Sequence, residues 1–349
     1  MVTDNNTQTD RSWEKIIMRY NKPDTGKSIW QMVNTLVPYA GLWFLMIQSL
    51  RYPYWVTLLL SIPAAGLLIR AFILFHDCGH GSFFRSKKAN DVVGKIIGIL
   101  TFTPYSPWHQ SHRVHHATSG NLDKRGVGDV WTLTVEEYLS RTKRERFIYR
   151  MYRNPFVMFI FGSIYMALIR NRITTKRMSR EDKLNVYTTN IGLLVMAVVL
   201  SLLIGVKAYL MIQVPIVLIA HFFGIWLFYV QHQFDDVSWE RGQKWDYKTA
   251  AILGSSFLKL PAVLQWFTGS IGFHHVHHLS SKIPNYNLAR CHYENDLFSQ
   301  VKPITLLSSF RTLSLRLWDE NSNRMISFRK MAVIPQLSSV RQGSGRFPI

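Results

Sequence analysis

Four long apolar runs, each bounded by polar residues, dominate the pattern of this chain. A helix needs roughly 20 mostly apolar residues to cross the hydrocarbon core of a bilayer. Residues 32–50, 53–75, 186–206 and 208–231 come close to or exceed that length. Very short segments separate the first run from the second and the third from the fourth, so each pair predicts a tight hairpin. The pattern therefore predicts an all-α integral membrane protein with four transmembrane helices in two hairpins.

Two further apolar runs, residues 91–108 and 154–169, are weaker because they are shorter or are broken by proline and glycine. Amphipathic segments of this kind commonly lie in the plane of the membrane interface. We therefore expect interfacial helices, or segments that dip into the bilayer and return, at both places.

The flanks of the apolar region are polar. Residues 1–31 are expected to form a cytosolic N-terminal segment that is retained, since the first long apolar run begins too deep for a cleaved secretory signal. Residues 32–302 then form the membrane domain, and residues 303–349 form a basic cytosolic tail. Within this tail, we expect one amphipathic helix near the stretch "LRLWDE".

The net charge of the chain is strongly positive. Lysine and arginine total 41 against 21 acidic residues, which gives a formal charge of +20. Cytoplasmic loops and anionic headgroups account for such an excess in a membrane protein, so no nucleic-acid partner is expected. The two cysteines, Cys78 and Cys291, predict free thiols rather than a disulfide framework.

Candidate chemistry lies in three histidine clusters. His76 and His80 are four residues apart at the end of the second apolar run, a spacing that places both rings on one helical face. The motif H-x-x-H-H occurs in "HQSHRVHH" and again in "HHVHH", where three rings share a face. Eight imidazoles are too many for one tetrahedral ion but suit two ions with open positions. The eight box histidines are His76, His80, His112, His115, His116, His274, His277 and His278.

The remaining histidines differ in their expected roles. His232 stands alone just after the fourth run and is a plausible ninth ligand. His275 lies about 100° around a helix from His274, so we expect it to point away from the metals and to support the ligands from behind. His109, His221 and His292 are expected to be hydrogen-bonding residues of the membrane interface.

Acidic residues near the boxes could orient the ligands, because a metal-bound imidazole usually donates its other N–H to a carboxylate or carbonyl group. Each is equally compatible with a helix cap or a solvated loop charge. The candidates are Asp77, Asp123, Asp129, Asp235 and Asp236.

Parity along the chain predicts the topology. All boxes and His232 must meet at one site, so residues 91–108 and 154–169 cannot cross the membrane completely. Four spans then place the N-terminal segment, the loop around Lys143 and the stretch "RNRITTKRMSR" on one side, and their positive charge indicates the cytoplasm. We therefore expect a multi-pass protein of the cell membrane, with the histidine boxes in a cytosolic cap.

These motifs carry a resemblance. The boxes H-x-x-x-H, H-x-x-H-H and H-x-x-H-H, with a lone histidine before the last, resemble those of membrane fatty-acid desaturases. The stretches "RNPFVMFIFGSIY", "FYVQHQF" and "LQWFTGSIGFHHVHHLSSKIPNY" are similar to Bacillus-type acyl-lipid desaturases, which act on phospholipid acyl chains at the Δ5 position. The resemblance covers most of residues 30–330.

The resemblance implies a non-haem enzyme with two iron ions, which uses O₂ and two electrons to remove two hydrogens and leave a cis double bond. The animal acyl-CoA branch has an asparagine that holds a water near iron, at a position where this chain has Phe228. The resemblance therefore does not imply which group completes the coordination of the second iron. By the same resemblance the nine ligands are His76, His80, His112, His115, His116, His232, His274, His277 and His278.

The implied partners are membrane phospholipid acyl chains, O₂ and a separate electron donor such as ferredoxin or flavodoxin, because neither a haem-binding domain of the cytochrome b5 kind nor a dinucleotide fingerprint is found in the chain. The basic stretch 124–153 could receive an acidic donor, or it could be a lipid-facing cytoplasmic loop. A membrane hydroxylase or ketolase with the same iron site is an alternative. A metal transporter is disfavoured, since transporters usually place ionisable groups at mid-membrane in broken helices.

Overall fold

The structure, a computed structural model, describes residues 12–333. Within that range the chain is mostly helical, so the predicted fold class is confirmed. The α-helices are α1 Ser12–Met18, α2 Thr25–Ser49, α3 Trp55–His80, α4 Lys87–Leu100, α5 Tyr105–Thr118, α6 Val135–Ser140, α7 Lys143–Tyr152, α8 Gly162–Leu168, α9 Arg180–Ile204, α10 Val206–His232, α11 Tyr247–Leu253, α12 Ala262–Phe267, α13 His274–Leu279, α14 Asn285–Tyr293, α15 Leu306–Thr312 and α16 Phe328–Val333. The strands are β1 Leu133–Thr134, β2 Phe257–Lys259, β3 Pro303–Thr305, β4 Leu317–Asp319 and β5 Arg324–Ile326.

The four predicted apolar runs correspond to α2, α3, α9 and α10. Among the described residues, α3, α9 and α10 are long and apolar enough to cross a membrane. Helix α2 has 25 residues but carries polar side chains such as Gln31 and Asn34, and it is not among them. A fourth candidate arises if α7 and the bent segment Val157–Arg172, which meet at 68°, form one broken span. The protein is thus a multi-pass membrane protein, while the spanning of α2 and the interfacial position of residues 154–169 stay predictions.

Local signals explain where these helices begin and end. Ser179 and Asp182 form a capping box at the start of α9, and Asp24 caps α2 by accepting the Lys27 N–H. Gly81, with φ of 63°, ends α3 directly after His80. This left-handed conformation suits glycine, so the first histidine box stands at a sharply terminated helix end.

Helix α3 is the centre of the bundle and contacts α2, α4, α5 and α10. Its small residues Ala64 and Ala65 are fully buried and belong to one apolar cluster with Ile212 and Ile216 of α10. Helix α9 presents an apolar surface suited to lipid, since its Leu202 is 82 % exposed. The C-terminal half of α3 is almost entirely buried, which places its histidines in the interior.

Two small sheets lie in the polar cap above the bundle. Strand β4 pairs in parallel with β1 and antiparallel with β5, while β2 and β3 form a parallel pair. The stretch "LRLWDE" itself contains β4, and the helix nearest to it is α15, which ends at Thr312. Leu317 and Trp318 are both at most 1 % exposed. The stretch is too short for its periodicity to be informative, and pairing with β1 and β5 determines that it forms a strand.

The described part of the predicted tail packs onto the cap, since β3 pairs with β2 of the preceding region. A buried cation reinforces the cap at the other end. Arg153 donates to the Gln233 side chain at 2.8 Å and to the Leu315 carbonyl at 3.0 Å. These bonds connect the segment after α7 to the residue that follows His232. Residues 1–11 and 334–349 lie outside the described range, with the parts of the N-terminal and tail predictions that fall on them.

Candidate metal centre

The first box is held by the last turn of α3. His76 and His80 project from one face, with their ring centroids 4.6 Å apart. Tyr105 donates its hydroxyl to the Cys78 carbonyl at 2.8 Å and so fastens this turn to α5. Cys78 itself is buried in an apolar cluster.

The second box lies on α5, which is anchored to α9 by its first turn. The Ser106 N–H donates to Asn185 Oδ1 at 2.9 Å, and the Ser106 hydroxyl donates to Asp182 Oδ1 at 2.6 Å. This anchoring turns His112, His115 and His116 inward, and all three are buried.

The third box forms the short helix α13, and His232 is the last residue of α10. The Gln231 side chain donates to the Ile271 carbonyl at 3.1 Å, and the Gln231 carbonyl accepts the Ser256 N–H at 3.0 Å. These bonds connect the end of α10 to the chain that leads into α13. His232 and His274 consequently meet with their Nε2 atoms 3.0 Å apart.

The nine predicted ligands assemble into two adjacent groups, and in each group one ring nitrogen per residue lies within 4.8 Å of all the others. The rings of His116 and His278, one from each group, stack at 4.1 Å. Adjacent histidines of one box belong to different groups, as His115 and His116 do. The five-histidine group is His76, His80, His112, His116 and His277; the four-histidine group is His115, His232, His274 and His278.

The geometry fits two metal ions. Nitrogen atoms bound at about 2.1 Å and at right angles to one another are about 3 Å apart. The Nε2 pairs His115–His232 and His116–His277 are both separated by 3.0 Å. The Nε2 atoms of His80 and His278 are buried and have no hydrogen-bond partner in the described protein, which is expected of atoms directed at an ion.

Protonation also favours metal binding. Burial, and after it the neighbouring imidazoles, lower the pKa of His112, His277 and His278 well below the usual value. The neutral ring is the form that binds metals. Both groups consist of imidazole nitrogens, a donor set that suits iron, zinc, copper or nickel.

Two of the predicted carboxylates contact the histidines. Asp129 Oδ1 lies 2.5 Å from His115 Nδ1, and Asp77 Oδ1 lies 3.2 Å from His76 Nδ1. Each leaves the Nε2 atom of its imidazole free to face the metal group, as the outer carboxylates of metal sites do.

The other carboxylate candidates lie elsewhere. Asp123 accepts from the Arg241 side chain and the Gly242 N–H at 2.6 and 2.8 Å, on the surface. Asp236 lies 3.5 Å from Lys302, and Asp235 is exposed. The structure therefore places none of these three against a box histidine.

His275 points away from the metal groups, as predicted, but it does not support a ligand side chain. Its Nε2 lies 2.9 Å from Nδ1 of His292, among the rings of Phe257 and Phe298. His109 stacks on Tyr105 outside both groups. The outward direction of His275 follows from its position on α13, whereas its partner could not be predicted.

Sequence reasoning missed two residues that hold the centre. Asn285 donates its backbone N–H and its side-chain N–H to Asp77 Oδ2 at 2.7 and 2.8 Å. Trp108 stacks on His112 with ring centroids 4.5 Å apart. A tryptophan four residues before a box histidine, on the same helical face, was the available signal.

A cavity of about 320 Å³ leads to the histidines. Its walls are mainly apolar side chains of α3 and α10, with Phe228 packed against His115 and His232 at 5.3 and 5.1 Å between ring centroids. His221 lies in this wall, where the sequence had suggested only an interfacial residue. The histidines that line the cavity are His76, His112, His221 and His274.

Comparison with known proteins agrees with this geometry. A family model described as "Fatty acid desaturase" matches residues 52–302. A protein named "Fatty acid desaturase" from Bacillus subtilis (strain 168) is 48% identical over 321 residues, which is 92% of this chain and 91% of that protein.

More distant relatives have related names. The "Omega-3 fatty acid desaturase, endoplasmic reticulum" of Vigna radiata var. radiata is 29% identical over 69% of this chain and 65% of its own length. The "sn-1 acyl-lipid omega-3 desaturase (ferredoxin)" of Nostoc sp. (strain 36) is 27% identical over 63% of this chain and 61% of its own length. The family match, the multi-pass helical fold and the paired histidine groups together confirm the resemblance, and the chain belongs to the fatty acid desaturase family as a membrane enzyme.

Proposed function

We propose that this enzyme is an O₂-dependent acyl-lipid desaturase that introduces a cis double bond at the Δ5 position of membrane phospholipid acyl chains. The observation that carries the proposal is the apolar cavity that ends on both histidine groups. Per turnover, one –CH₂–CH₂– unit, one O₂, two electrons and two protons would give one –CH=CH– unit and two water molecules.

Two iron ions are the proposed metals, one in each histidine group. The paired geometry, the unpartnered Nε2 atoms of His80 and His278 and the membership in an O₂-using family support iron over the other metals that imidazole binds. Bound iron would supply the oxidising power that an unactivated methylene pair requires, since no polar group of the substrate offers a handle for acid–base chemistry.

The side chains of this protein would position the substrate and exclude water. The cavity walls can hold an acyl chain by apolar contact, and His76, His112 and His274 bring the metal groups to its edge. Trp108 and Phe228 close the space around the rings of His112 and His115. Asp129 holds the His115 ring in one orientation by accepting its Nδ1–H, which limits the geometry available to the four-histidine group.

The substrate assignment rests on similarity. The Bacillus-type motifs support a phospholipid acyl chain and the Δ5 position. An acyl chain held in lipid can enter laterally, because the cavity is bounded by the membrane helices α3 and α10. For electrons we propose a separate ferredoxin or flavodoxin, and the ferredoxin in the name of the Nostoc relative supports the first of these.

The histidine boxes are proposed to face the cytoplasm. A single cysteine at Lys176, in the basic loop before α9, should resist membrane-impermeant thiol reagents in intact cells, whereas one at Lys207, between α9 and α10, should react. Both positions are exposed, and Cys78 and Cys291 would first be replaced. Labelling at position 176 without lysis would contradict this orientation.

The decisive experiment is expression in a host without desaturases, followed by gas chromatography and mass spectrometry of the phospholipid fatty acids. We expect monounsaturated chains with the double bond at carbon 5, and none with the matched variant His277→Ala. A double bond at another carbon would refute the Δ5 assignment alone. Hydroxylated or oxidised chains without a double bond would refute desaturation of these lipids.

A further inference from the structure

His80 is the edge of the metal centre nearest to solvent. It is the most exposed of the nine grouped histidines, because it is the last residue of α3. Its ring centroid lies 4.7 Å from that of His116 and 4.9 Å from those of His112 and His277. An electron that reaches His80 therefore arrives directly at the five-histidine group.

Exposed cations surround this edge. The Lys282 ammonium donates to the His80 carbonyl at 2.7 Å, and Arg113 stands on the outer face of α5 beside His112. His109 lies against Gly79, and burial followed by Arg113 lowers its pKa. Asp91 acts in the opposite direction, and Lys282 and Lys87 lower the pKa further, so these charged groups converge on the same area. We define the His80 patch by the exposed residues Lys87, Arg113 and Lys282.

Two cations of the patch are free to meet a partner. In residues 12–333, neither Arg113 nor Lys282 lies within ion-pair distance of a carboxylate, while Lys87 pairs with Asp91 at 2.8 Å. Val114, 37 % exposed, adds an apolar side chain next to Arg113. Unpaired charge around a small apolar contact is typical of a transient docking surface.

The basic stretch 124–153 fits a donor less well. Arg125 pairs with Glu137 and Arg141 lies 3.4 Å from Glu145, while Lys143 and Arg144 have no carboxylate within ion-pair distance among the described residues. Helix α7 also exposes apolar side chains, including 63 % of Phe147. Such a helix, basic on one side and apolar on another, suits the membrane interface.

We propose that the His80 patch docks an acidic one-electron carrier protein, which delivers electrons through the His80 edge. The proposal rests on the proposed function, because only a reaction that consumes electrons needs such a carrier. Two docking events would supply the two electrons of a turnover, each oxidising one reduced carrier by one electron.

The test compares two double charge reversals in the metal-loaded enzyme. Arg113→Glu with Lys87→Glu alters the patch, and Lys143→Glu with Arg144→Glu makes the same change of charge on α7. Lys282 stays unchanged because it contacts His80. Affinity for a purified acidic [2Fe–2S] ferredoxin is measured by biolayer interferometry in detergent micelles at several salt concentrations, and iron per chain is measured for each protein.

We expect the patch variant to bind the ferredoxin at least about tenfold more weakly at low salt and with a flatter salt dependence, since steering by surface charge is screened beyond about 8 Å at physiological ionic strength. The α7 variant should stay within about twofold of wild type, and both variants should keep their iron. Weakening by the α7 variant alone, or by neither, would overturn the proposal. Weakening seen only in nanodiscs with anionic lipid would assign the patch to headgroups and overturn it too.

The result is separable from that of the proposed function. If the wild-type enzyme forms double bonds in cells but binds no acidic carrier at this patch, the docking proposal fails and the desaturase assignment stands. If no unsaturated product forms while the ferredoxin still binds, the assignment of the reaction fails.

Discussion

Replacing Asp129 with asparagine tests how a residue outside the nine histidines supports the metal centre. Asp129 Oδ1 lies 2.5 Å from His115 Nδ1, and its other oxygen accepts the Gly126 N–H at 3.0 Å. The opposite nitrogen of the same ring lies 3.0 Å from His232 Nε2. Asparagine keeps the size of the side chain but removes the charge that fixes the His115 tautomer.

The expected magnitude follows from the position of His115. Removing the hydrogen-bond partner of a metal-bound histidine typically lowers metal affinity about 10–100-fold, or by about 1.4–2.7 kcal/mol. His115 belongs to the four-histidine group only. We therefore expect one of the two irons to become labile in Asp129→Asn while the other is retained.

The assay is iron per chain after dialysis against graded concentrations of chelator, measured by plasma emission. Wild type should release both irons at high chelator, and Asp129→Asn should release one at roughly tenfold to hundredfold lower concentration. The control is Asp123→Asn, the same change in the same loop, whose carboxylate contacts Arg241 instead. Equal retention by Asp129→Asn and wild type, or equal loss by the control, would refute the reasoning.

Three further variants test the centre, the cavity and the packing. His277→Ala should lose most of the iron, because a ligand disappears, whereas His109→Ala should keep it; iron analysis distinguishes them, and full iron in His277→Ala would count against the five-histidine group. Gly224→Leu should project into the cavity and lower product yield by roughly tenfold or more, as a misfit of one or two methylenes does, with iron unchanged; Gly41→Leu, also in open space, is the control, and an unaffected yield would exclude this cavity as the acyl site. Gly98→Ala should lower the free energy of unfolding by about 1–3 kcal/mol, since the new Cβ would lie 2.6 Å from the Thr103 carbonyl oxygen, and Gly41→Ala should not. Equal melting temperatures for Gly98→Ala and wild type would contradict this and show that the backbone at Thr103 moves easily.

The sequence predicted what depends on short-range periodicity. The apolar runs located α3 and α10, and the i, i+4 spacing of His76 and His80 correctly placed both rings on one face. It could not predict which histidines share a group, because that depends on how α3, α5, α10 and α13 cross. The adjacent residues His115 and His116 lie in different groups for this reason.

The same limit applies to the supporting residues. Asp123 and Asp129 are six positions apart in one loop and looked equivalent, yet only Asp129 reaches a box histidine. Its direction is decided by the turn around Gly126 and Gly128, both with positive φ. Strand β4 was missed because its partners, β1 and β5, are not visible in its own few residues.

The distribution of the nine histidines along the chain has a consequence for biosynthesis. His76 and His80 leave the ribosome early, at the end of a helix that inserts into the bilayer, whereas His277 and His278 emerge only after α10 has followed. Both groups need residues from the third box, so neither can be completed on a partly translated chain. Completion of both groups is therefore a late event, and a chain truncated before α13 would retain four members of the five-histidine group but only His115 and His232 of the other.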